Sequence, residues 1–100
     1  MKSRDPNAPH ELDLTLYISG ASPNSLRAIN NVQRILEAHA SGKYRLTIVD
    51  VYQEKGVAQQ EQIVALPMLI RKHPLPARRL IGDMSNEVKV IEGLGLNQEL

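Results

Sequence analysis

The sequence contains no cysteine, no phenylalanine and no tryptophan. Without a thiol there is no disulfide, no cysteine-ligated metal and no thiolate nucleophile, so thiol redox chemistry is excluded. The aromatic rings are Tyr17, Tyr44 and Tyr52, too few to build a stacking platform for nucleic-acid bases. Net charge is +1, so no strong overall field draws the chain to nucleic acid or to a membrane surface. No apolar run approaches the roughly 18–20 residues that a membrane span requires. Residues 1–10 are polar, with Pro6, Pro9 and His10 and no apolar core. They read as a flexible leader rather than a signal peptide, with the cytoplasm as the expected location. What is present is 42% hydrophobic and 23% charged over 100 residues. That suffices for one domain, expected over 11–100, with an almost purely aliphatic core.

Leu12, Leu14, Leu16 and Ile18 alternate with Asp13, Thr15 and Tyr17, the period-2 pattern of a strand with one strongly buried face. Ser22 can cap free helix amides, and Pro23 suits a first helical position that needs no amide donor. Leu26, Ile29, Val32, Ile35 and Leu36 then recur at helical spacing, with Arg27, Asn31, Arg34 and Glu37 turned away. Gly42 is a left-handed terminator. Tyr44–Val51 is rich in β-branched residues and reads as a second strand, parallel to the first through a right-handed crossover.

Gln53–Ile63 is polar, anchored by Val57, Ala58 and Ile63, and predicts a short helix over 57–63. Pro67 opens a strand over Met68–Lys72, because proline tolerates a strand's start but not its centre. Pro74 and Pro76 break that strand, and Ala77–Ile81 forms another. Gly82-Asp83 is a turn, Ser85 a helix cap, and Val88, Ile91 and Leu94 one face of a last helix ended by Gly93 and Gly95. The order βαβ–α–ββ–α is that of a thioredoxin-like α/β domain. In that fold Leu66–Pro67 is expected to be cis. Met68-Leu69-Ile70 and Leu80-Ile81 are short apolar runs that fit strand or buried helix equally, so the second half is compatible with more than one structure.

Little chemistry can be assembled. The start of the first helix, Gly20-Ala21-Ser22-Pro23-Asn24-Ser25, holds hydroxyls where redox folds hold thiols. A transferase-like use of Ser19, Ser22 or Ser25 competes with plain helix capping, which the residue type favours. His10, His39 and His73 lack ligand spacing, so no metal is expected. No Gly-rich phosphate loop is present, and no cofactor is expected. The clear charge feature is Arg71-Lys72-His73 with Arg78-Arg79. On adjacent strands these side chains would form a cationic edge, serving either to deter edge pairing or to dock an acidic partner.

These blocks resemble the KaiB family of circadian-clock proteins over residues 12–95. The resemblance is carried by Leu16-Tyr17-Ile18-Ser19-Gly20, Ser22-Pro23-Asn24-Ser25 and Ile48-Val49-Asp50-Val51. Above all it is carried by the ungapped run from Pro74 to Asn86. A weaker resemblance is to the KaiB-like sensor domain of SasA kinases. The resemblance implies a non-enzymatic adaptor that binds a KaiC-like ATPase and modulates its phosphorylation and timing, or a stress response. KaiA- or SasA-like proteins are further implied partners. It also implies two folds: a ground-state fold that self-associates to dimers or tetramers, and a thioredoxin-like fold that docks. Arg27, Lys43, Arg45, Gln62 and Arg71 match positions near the family's partner-binding surfaces. Pro67, Pro74, Pro76, Gly82, Asp83, Gly93 and Gly95 lie where the fold is decided. The chain departs from the family with Leu66-Pro67-Met68 for Thr-Pro-Thr and Gly93-Leu94-Gly95 for Gly-Leu-Asp, which marks a divergent member. The alternative class is a cysteine-less thioredoxin-like enzyme, a transferase or stress-response factor.

Overall fold

A computed structural model describes residues 11–96; the expected leader and His10 lie outside the described residues. Seven elements follow in order: β1 Leu12–Ile18, α1 Pro23–Ala40, β2 Tyr44–Asp50, α2 Val57–Gln60, β3 Met68–His73, β4 Arg78–Ile81 and α3 Glu87–Leu94. They realise the βαβ–α–ββ–α order, around one four-stranded sheet ordered β2-β1-β3-β4. The β1–β2 pair is parallel, Leu12 opposite Tyr44 through Ile18 opposite Asp50. β3 runs antiparallel to β1, and β4 antiparallel to β3. The Leu66–Pro67 bond is cis, as are His73–Pro74 and Leu75–Pro76.

Central placement makes β1 more buried than its alternation implies. Leu14, Leu16 and Ile18 pack with Ala28, Val32, Ile35 and Leu36 of α1, Leu69 of β3, and Val90 and Leu94 of α3. The other face is covered too: Tyr17, Met68 and Ile70 form a second cluster beneath Val57, Ile63 and Leu66. The expectation of a single buried face therefore needs correction. A strand flanked on both sides is covered on both faces once α2 and its loop close over the polar-looking side.

The first helix starts as expected. Ser22 is extended (φ −62°, ψ 154°), its hydroxyl accepts from the Ser25 amide, and Pro23 opens the helix. Its inward stripe is Ser25, Ala28, Val32, Ile35, Leu36 and Ala40, whereas Leu26 is exposed. Small residues let α1 approach the sheet closely there, and Leu26 falls on the flank. At the other end of the chain Asn86, not Ser85, caps α3, accepting from the Lys89 amide. Val90 and Leu94 face the core while Val88 is solvent-facing. Gly93 lies inside α3, and Gly95 is the left-handed residue that ends it, at φ +73°.

Candidate partner-docking surface

At the head of α1, where a redox protein would hold its thiols, three hydroxyls bond one another. Ser22 Oγ donates to Ser25 Oγ at 2.9 Å, and Ser25 Oγ accepts from the Ser19 amide at 3.1 Å. Asp50 fixes the flanking loops, accepting from the Gly20 amide at 3.1 Å and the Tyr52 amide at 2.9 Å. Ser25 is fully buried. Among the described residues no histidine bonds these hydroxyls, so nothing draws off a proton to make a nucleophile. The cluster is a helix cap and a loop anchor. No group of His, Asp or Glu among the described residues is arranged to hold a metal ion.

The outer face of α1 is tied to the C-terminal half by polar contacts. Arg27 Nε meets Asp83 at 3.3 Å, and its guanidinium also donates to Asn24. Asn31 donates to the Asp83 carbonyl at 3.0 Å. Arg34 and His39 both reach Glu87, at 3.2 and 3.7 Å. Hydrogen bonds from Ser85, then the Arg27 charge, hold the Asp83 carboxyl below the ordinary carboxylate range. The sequence marks Asn31 only as outward-facing on α1 and gives no role to Glu87. Their partners across the fold lie about fifty positions away, and no local pattern marks such a pair.

The expected cationic edge is not assembled. Arg71 is turned inward and buried, donating from Nη1 to the Leu94 carbonyl at 2.9 Å and from Nη2 to the Pro76 carbonyl at 2.8 Å. Register explains this: Arg71 pairs with Leu14, whose face is covered by α1 and α3. Burial, and secondarily the Arg78 charge, lowers its pKa from the usual arginine value. Lys72 lies 4.0 Å from Glu61 and over the Tyr17 ring. Arg79 donates to the Glu61 carbonyl at 2.9 Å. Arg78 is exposed at the sheet edge.

The five positions drawn from the sequence are therefore spread over the molecule. Lys43 and Arg71 line the same hollow, beyond the C-terminal ends of α1 and α3. Arg27 sits at the opposite end of α1, against Asp83. Arg45 is exposed on β2, one edge of the sheet, and pairs with Asp13 on the face away from α1. Gln62 is exposed after α2, at φ +56°, and its carbonyl faces Arg79. Of the positions expected to decide the fold, Pro67 is fully buried. Gly82 takes φ +118° at the end of β4, its amide bonded to the Pro67 carbonyl at 3.0 Å.

Comparison with known proteins sets this geometry in context. A KaiB domain family model matches residues 15–96. The circadian clock oscillator protein KaiB of Prochlorococcus marinus (strain NATL2A) is 42% identical over 90 residues, covering 90% of this chain and 84% of that protein. The chain belongs to the KaiB family. Another KaiB-family relative, from Thermosynechococcus vestitus, is 43% identical over 86 residues, covering 86% of this chain and 80% of its own length.

Among solved structures, the N-terminal domain of Synechococcus elongatus SasA superposes with a TM-score of 0.69 at 22% identity, covering 100% of this chain and 99% of that domain. Mitochondrial thioredoxin 3 of Saccharomyces cerevisiae gives 0.69 at 13% identity, covering 86% and 78%. These likenesses establish the thioredoxin-like α/β fold for this KaiB-family chain, with Ser22-Pro23-Asn24-Ser25 at the head of α1. Among the described residues no helix is long and apolar enough to cross a membrane.

Proposed function

We propose that this KaiB-family chain is a non-enzymatic clock-type adaptor that acts in the cytoplasm. It docks on a KaiC-like ATPase in the thioredoxin-like state and modulates its phosphorylation and timing, or a stress response. KaiA- or SasA-like proteins are its further partners. The observation that carries this reading is the combination of family membership with a fold that superposes on the SasA N-terminal domain along the whole chain. The hydroxyl cluster at the head of α1, bonded within itself and with no histidine bonded to it among the described residues, supports an adaptor over a transferase.

Arg27, Lys43, Arg45 and Gln62 are the proposed contacts, since all four are exposed. Arg71 acts from inside, holding the end of α3 beside Lys43. The thioredoxin-like state is in exchange with a self-associated dimer or tetramer in the family's ground-state fold, and docking draws the population toward it.

Size-exclusion chromatography with light scattering tests the proposal, first on the protein alone and then with a KaiC-type ATPase and ATP. A tetramer converting to a large complex over hours supports docking preceded by rearrangement. A monomer that binds at once supports docking from the described fold. Absence of any complex under every nucleotide overturns the ATPase-adaptor reading.

A further inference from the structure

We propose that the outer edge of β4, with the hollow between it and α3, docks an extended acidic segment of a partner protein, which adds to the sheet as a further strand. β4 ends the order β2-β1-β3-β4, so its far side has no neighbouring strand among the described residues. The Gly82 amide bonds the Pro67 carbonyl at 3.0 Å. The register continues with Leu80 opposite Leu69 and Arg78 opposite Arg71. Bonded and non-bonded pairs alternate along an antiparallel ladder. Leu80 and Arg78 therefore direct their amides and carbonyls at β3, and those of Arg79 and Ile81 point outward. Such an open row is a template for strand addition.

The side chains select the occupant. Beside the open edge lies a hollow of about 650 Å³ with Leu80, Met84 and Val90 in its wall, and Ile81 on the strand itself is 56% exposed. Successive residues of an added strand face opposite sides of the sheet, so apolar side chains at alternate positions enter the hollow. Charge sets the others. The exposed Arg78 and Lys89 side chains have no hydrogen-bond or ion-pair partner among the described residues. Arg79 bonds backbone carbonyls rather than a carboxylate. Against these cations the wall holds Glu92 and Asp83, and Asp83 is already paired with Arg27. A second copy of this chain would bring the arginines of both edges together, and like charges across paired strands repel. The occupant is therefore an acidic segment of another protein. None of the residues proposed to meet the ATPase lines this hollow, so the site does not depend on that partner.

The test is amide hydrogen exchange, read by NMR on the full chain titrated with a synthetic peptide. The peptide alternates valine and glutamate over eight residues and is acetylated and amidated at its ends. In the free chain the Leu80 amide should exchange slowly, and those of Arg79 and Ile81 fast. The peptide should slow Arg79 and Ile81 by about tenfold or more, saturably, whereas a peptide with lysine in place of glutamate should not. Arg78→Glu should weaken binding about threefold or more, as reversal of an exposed charge does. Ile81→Pro removes one outward amide without touching the β3 ladder, and should abolish the protection of Arg79. Equal exchange at all three amides in the free chain, no saturable protection, or equal binding of the lysine peptide would overturn the site. Protection that rises with protein concentration alone would make a second copy the occupant, and would overturn it too.

Discussion

Arg71 Nη1 donates to the Leu94 carbonyl at 2.9 Å, so a side chain of β3 closes the end of α3. A helix leaves its last carbonyls without partners inside the helix, and a cation there meets both the free oxygens and the negative end of the dipole. Nη2 binds the Pro76 carbonyl at 2.8 Å, so one guanidinium joins the β3–β4 turn to α3. Gly95, left-handed at φ +73°, turns the chain away beside it.

Replacing Arg71 should therefore cost more than an ordinary surface change. Arg71→Met keeps the bulk but leaves both carbonyls without the guanidinium, for an expected loss of about 2–4 kcal/mol. Arg71→Lys keeps the charge but not the fork, and should fall between the two proteins. Urea unfolding measures both. Equal midpoints for Arg71→Met and wild type would show that the clip contributes nothing.

Gly93 answers to packing rather than backbone freedom. A Cβ there would lie 2.6 Å from Leu80 Cδ2 and 3.2 Å from Leu80 Cγ, so a side chain at this position would have to displace Leu80 of β4. Gly93→Ala would gain about 1 kcal/mol of helix propensity. It should lose about 1–3 kcal/mol to overpacking, leaving a net destabilisation. Leu80→Ala should make the same substitution stabilising, because the obstruction is gone. Additive effects in that double-mutant cycle would refute the steric account.

The N-terminal half was legible because its signals are local. The Leu12–Ile18 alternation and the Ser22-Pro23 cap each specify their element within a few residues. Apolar identity alone points to Leu26 in the stripe of α1, whereas the buried positions include the small residues Ser25 and Ala28. In α3 the spacings Val88-Ile91-Leu94 and Val90-Leu94 both suit a helix; packing against the β1–α1–β3 core buries Val90 and Leu94 and leaves Val88 in solvent. The burial of Arg71 has no such local signal. A basic run reads as solvated because arginine is rarely buried, and its partners are carbonyls, which every residue carries. No residue type announces them.

The hydroxyl cluster gives a ranking that tests its structural role. Ser25→Ala leaves the Ser19 amide without its side-chain acceptor in a part-buried setting, at an expected cost of about 1–3 kcal/mol. Ser22→Ala removes the helix cap, at about 1 kcal/mol. The buried substitution should be the more damaging in thermal or urea unfolding. The reverse order would mean that capping alone explains these serines.

Asp83 predicts how stability depends on acid. Its carboxyl is held below the ordinary range, chiefly by hydrogen bonds from Ser85 and then by Arg27. A depressed carboxylate pKa means that the unfolded chain takes up the proton first as pH falls. The stabilisation is therefore complete above the unfolded value of about 3.9, and disappears as pH drops through the lower folded value. Asp83→Asn should be less stable than wild type near neutrality, with the gap closing in acid. Arg27→Ala should remove a smaller part of the gap, because Ser85 is the larger cause and the exposed ion pair is weakened by solvent. Urea midpoints measured against pH for the three proteins decide this: a gap that stays constant into acid would mean that the ionised Asp83 carboxylate does not stabilise the fold.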